Sequence, residues 1–132
     1  MNAVPRIVNT LVAPLLVLLV LFLPLPSLAS DAGGAAPEPM VFTVNLGKEN
    51  FLQFGVLFET ASPEATHLLA SYKPKIQHEI ILLLSGKESA KLRLLEGKKE
   101  LIADLIKLSN RIIDEDESTG VKDVLFSKFL IQ

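Results

Sequence analysis

The 132-residue sequence contains no cysteine and no tryptophan, one tyrosine and two histidines. The lack of cysteine excludes disulfides, thiolate metal sites, a cysteine nucleophile and a lipidated cysteine. A domain without disulfides must be held by a hydrophobic core, and roughly ninety residues after the first forty suffice for one. Basic residues are not in excess: 13 Lys and Arg stand against 15 Asp and Glu, for a net charge of −2. No basic stripe appears, which argues against a surface that tracks nucleic-acid phosphates. Glycine is sparse, and neither a phosphate-cradling glycine loop nor a serine flanked by glycines in a nucleophile elbow occurs.

The remaining candidates for chemistry are few. His67 and His78 are eleven residues apart, which on an unbroken helix is about 16 Å, too far to share a metal. They read as solvated helix residues. Asp114-Glu115-Asp116-Glu117 gathers carboxylates without a fixed geometry, at the end of a helix where the dipole disfavours them. That run reads as a solvated, flexible tail to the helix. Acid, base and nucleophile do not converge, so the sequence predicts a non-enzyme with no catalytic, cofactor-binding or metal-ligating residues.

What is present is alternation. Leu52, Phe54, Val56 and Phe58 occupy every second position, as do Phe42, Val44 and Leu46 before them. A period of two marks strands with one buried face. Gly47-Lys48-Glu49-Asn50 joins the two runs as a hairpin loop. Ser62-Pro63-Glu64 then opens a helix, with Ser62 as N-cap and Pro63 in the first turn. Leu68, Tyr72, Ile76, Ile80 and Leu84 form its apolar stripe, and Pro74 predicts a kink or break near Ala70 to Lys73. Ser85-Gly86 stops it. Ala90, Leu92, Leu94 and Leu95 suggest a short helix or turn with its leucines inward. A second long helix is expected from Gly97, with Leu101, Leu105, Leu108 and Ile112 inward. Val121 to Gln132 returns as a last strand. The expected fold is α+β, a small antiparallel-type sheet covered by helices.

Upstream, Ile7 to Ala29 carries no charge. Such a length of helix spans about 34 Å against a bilayer core of about 30 Å, as a membrane anchor would. Yet Leu11 to Leu23 contains Pro14, and Pro24, Pro26 and Ser27-Leu28-Ala29-Ser30 follow, as in a signal peptide cleaved near Ala29. Both readings stand, and both send the rest of the chain across a membrane. Arg6 favours a cytoplasmic N-terminus. Asp31 to Pro39 reads as a linker. The expected organisation is therefore an anchor or signal over 1–30, a linker over 31–39 and a domain over 40–132.

The order of features resembles the flagellar basal-body-associated FliL family. The carrying residues are Val44-Asn45-Leu46, Phe51-Leu52-Gln53, Ser62-Pro63-Glu64, Lys73-Pro74, Glu96-Gly97-Lys98 with Leu101, and above all the ending from Val121 to Gln132. The resemblance implies a single-pass inner-membrane protein with a periplasmic, stomatin-like domain that assembles into rings. It also implies association with basal-body and stator proteins in support of torque, hence of swimming or swarming, with no catalytic residues to carry over. The alternative is a periplasmic binding or scaffold module of the same fold, released by a cleaved signal and serving a non-flagellar partner.

The last strand carries apolar residues on both sides. Simple alternation puts Leu125, Phe129 and Ile131 on one face and Val124, Phe126 and Leu130 on the other. One face is expected under the helices. The face of Val124, Phe126 and Leu130 is the expected assembly surface, covered by the first helix of a neighbour in a head-to-tail contact that closes into a ring. Otherwise both faces are buried within one subunit, by the hairpin and the loop after Gly86.

Overall fold

At the centre of the structure, a computed structural model, lies the strand that the alternation marked. Residues 38–132 are described; the segment expected over 1–30 and nearly all of the linker lie outside the described residues. Strand β1, Met40–Leu46, turns through Gly47 to Glu49 into β2, Asn50–Thr60. Leu46 pairs with Asn50, so the loop is one residue shorter than the sequence suggests. Gly47 takes φ +69°, which a residue with a Cβ rarely adopts. Strand β3, Val121–Ile131, pairs antiparallel on the far side of β2, giving the order β1-β2-β3.

Between β2 and β3 the chain makes its helices. Helix α1, Pro63–Ser71, starts as its sequence dictates: the Ser62 hydroxyl accepts from the Ala65 N–H at 3.1 Å. Tyr72 separates α1 from α2, Lys73–Ser85, and the break falls where Pro74 forbids an unbroken helix. A short helix α3, Ser89–Arg93, precedes the long α4, Leu95–Ile113. Among the described residues, no helix is long and apolar enough to cross a membrane.

Helix α4 begins two residues before Gly97, not at it. The bare Cα of Gly97 faces the Lys91 carbonyl so closely that any Cβ would overlap it. That contact lets α3 fold back on the first turn of α4. Asp114 ends α4 in a left-handed conformation at φ +59°, which aspartate tolerates.

One face of the sheet is covered. Phe42, Val44, Leu46, Leu52, Phe54 and Val56 lie buried beneath Ile76, Ile80 and Leu84 of α2 and Leu101, Leu105 and Leu108 of α4. Phe42 stacks on Phe54 at 5.0 Å between ring centroids, and Phe126 and Phe129 meet Phe54 at 6.1 Å each. Ile113 completes the buried stripe of α4, whereas Ile112 is half-buried. Leu92 packs inward as expected, but Leu94 and Leu95 point out at 62% and 69% exposure.

Candidate assembly surface

The last strand does not alternate as its sequence suggests. Two register shifts in its pairing with β2 leave Lys122 and Ser127 without opposite numbers: Thr60 pairs with Val121 but Glu59 with Asp123, and Val56 pairs with Phe126 but Gly55 with Lys128. Each bulge inserts one residue and reverses the facing of the residues after it. The inward set is therefore Val121, Val124, Phe126, Phe129 and Ile131. Val124 is only 1% exposed and Phe126 is half-buried among the phenylalanines. Leu130, at 40% exposure, lies on the opposite side.

The face expected from Val124, Phe126 and Leu130 is thus split by the Ser127 bulge. Burial of both faces within one subunit is excluded as well, because Leu125 and Leu130 remain open to solvent. Gly55 makes the bulge fit: a Cβ there would overlap the Ser127 hydroxyl, so the extra residue folds over a position with no side chain.

What the bulges leave is an open sheet face with its own apolar content. The register aligns Thr43, Gln53 and Leu130 in one row, Asn45 and Phe51 in the next, and Leu57 and Leu125 further along. Val41 and Phe51 are more than half exposed. Thr43, Phe51, Gln53, Leu130 and Gln132 line a hollow of about 200 Å³. Among the described residues nothing covers this face, and the outer edges of β1 and β3 carry no further strand. An apolar sheet face bounded by polar residues is the composition of a contact surface.

The candidate chemical groups do not gather. His67 and His78 are exposed on separate helices. Among the described residues, no group of three or more His, Asp or Glu side chains could hold a metal ion. A hollow of about 580 Å³ is a shallow trough along Thr60 to Ala70, where the Thr60 and Thr66 hydroxyls bond each other at 2.8 Å. The turn after α4 is more ordered than its run of acids suggests. Asp116 accepts from the Ser118 hydroxyl at 2.5 Å and the Ser118 N–H at 2.7 Å, and these bonds hold its carboxyl below the ordinary value of 3.8. The Asn110 amide clasps both backbone groups of Val121 and fixes where β3 starts.

The family model described as flagellar basal body-associated protein FliL matches residues 38–132. The flagellar protein FliL of Escherichia coli (strain K12) is 32% identical over 93 residues, covering 69% of this chain and 60% of that protein. The flagellar protein FliL of Aquifex aeolicus (strain VF5) is 30% identical over 94 residues, covering 69% of this chain and 56% of that protein. The chain thus spans about 60% of the length of the first of these curated relatives.

Proposed function

The chain belongs to the flagellar basal body-associated FliL family, and from that premise we propose that it is a non-catalytic scaffold of the flagellar motor. In this reading residues 7–29 hold it in the inner membrane as a single pass, and the domain from Met40 stands in the periplasm. There it meets basal-body and stator proteins and supports torque. It needs no cofactor or metal and binds no nucleic acid. The family match over 38–132 carries the proposal.

The open sheet face supports self-association. Leu125, Leu130, Phe51 and Val41 need a partner surface, and Ile81 and Leu82 of α2 offer an exposed apolar ridge elsewhere on the same chain. Two different patches that fit each other make a head-to-tail contact, which closes into a ring when the rotation allows. A scaffold acting by repetition uses its surface, not a cleft.

The test is deletion of the coding region, followed by spreading in soft agar and affinity capture of the full chain from membranes. The reading expects intact filaments, reduced spreading, and stator proteins in the capture. Normal spreading with no motor protein recovered would instead favour the non-flagellar scaffold.

A further inference from the structure

We propose that the corner between α3 and α4 is a docking site for an anionic lipid surface. The inference goes beyond the motor role and rests on the proposed reading only for the membrane pass over residues 7–29. Its starting point is the outward placement of Leu94 and Leu95. Leu94 takes an extended backbone, φ −81° and ψ 151°, between the two helices, and this turns the pair away from the core. They are the two most exposed leucines of the described residues, at 62% and 69%.

Their surroundings say what covers them. Lys91, Arg93, Lys98 and Lys99 flank the pair, against Glu88, Glu96 and Glu100 over residues 88–100, a balance of four cations to three carboxylates in a chain whose net charge is −2. The local sign is therefore opposite to that of the whole. Among the described residues the ion pair is Lys87 with Asp104, and none of the four cations takes part in one. Lys98 is held in place: its Nζ donates to the Arg93 carbonyl at 3.0 Å and lies 5.2 Å from the centre of the Phe129 ring. Arg93 and Lys98 stand over a hollow of about 330 Å³ floored by Phe129, Leu130 and Ile131.

Adjacent leucines ringed by lysine and arginine are the composition of an interfacial membrane contact. The leucines enter the acyl boundary, and the cations reach headgroup phosphates. The leucines sit on a turn between helices, not along a groove, which suits a lipid surface better than a peptide.

The chain has no cysteine, so one introduced residue can report. The full chain carrying Leu94→Cys, labelled with an environment-sensitive fluorophore, is reconstituted into vesicles of phosphatidylcholine with or without phosphatidylglycerol. Glu117→Cys, beyond the far end of α4, is the control. We expect the label at 94 to be dry in phosphatidylglycerol vesicles, to be quenched by spin-labelled lipid and to be released by salt, while the label at 117 stays wet. Arg93→Gln and Lys99→Gln should each lower the docked-to-free ratio about fivefold, the worth of one cation near an anionic surface, with unchanged melting. A wet label at 94 in both membranes overturns the proposal. So does equal quenching at both positions. A label at 94 that is dry but unquenched, and becomes wet as protein is diluted in lipid, means that a second copy covers the corner, which also overturns it.

Discussion

The side chain of Asn110 in α4 acts as a strand partner for Val121: its Nδ2 donates to the Val121 carbonyl at 2.8 Å, and its Oδ1 accepts from the Val121 N–H at 2.6 Å. Both residues are buried. Asn110→Ala leaves one donor and one acceptor of β3 without partners. The expected loss is about 2–4 kcal/mol, since each buried unsatisfied group costs about 1–3 kcal/mol. Denaturant melts of the wild type and Asn110→Ala give the value directly.

Gly97 gives a prediction of opposite sign to the ordinary rule. In an exposed helix, glycine to alanine gains about 1 kcal/mol. Here the added Cβ meets the backbone of Lys91 and Leu92, which cannot move without parting α3 from α4. Gly97→Ala should destabilise by about 2 kcal/mol or more, measured as a shift in denaturant midpoint.

The sheet faces make a paired prediction. Phe54 is fully buried under the helices, so Phe54→Ala should cost about 3–5 kcal/mol. Leu130→Ala, on the open face, should stay within about 0.5 kcal/mol. Val124→Asp should unfold the domain, whereas Leu130→Lys should leave its circular dichroism unchanged. Matching effects at 124 and 130 would place the two residues on one face and remove the bulge at Ser127.

Much of this was legible in the sequence because it depends on local rules. Leu52, Phe54 and Val56 alternate, Ser62 and Pro63 open a helix, and Pro74 breaks it, all from short-range pattern. The facing of β3 was not legible, because its bulges are set by pairing with β2: Ser127 is extra only where Gly55 lets it fold over. Helix α4 begins at Leu95 because the bare Gly97 admits the Lys91 carbonyl, a contact that a glycine read as a helix boundary conceals. The same turn sends Leu94 and Leu95 outward, against their hydrophobicity. Alternation put Val124, Phe126 and Leu130 on one face, and the bulge at Ser127 leaves only Leu130 of the three on the open side.

Asp116 ties the turn to pH at the acid end. Its carboxyl is held below 3.8 first by the Ser118 hydroxyl and then by the Ser118 N–H. A depressed folded-state pKa contributes stability that is present above the unfolded value and lost as pH falls through the folded one. Melts of the wild type and Asp116→Ala should therefore differ above about pH 4 and converge as the pH falls below it. An equal offset across that range would mean that the carboxylate charge plays no part.

The central claim is that the open sheet face, with Leu125 and Leu130, joins copies of the chain. It is tested most directly by sedimentation velocity on the purified full chain in mild detergent, comparing the wild type with Leu125→Lys/Leu130→Lys. The account predicts oligomers for the wild type and a monomer of unchanged melting temperature for the double variant. A monomeric wild type, or a double variant that sediments as the wild-type oligomer, would contradict it.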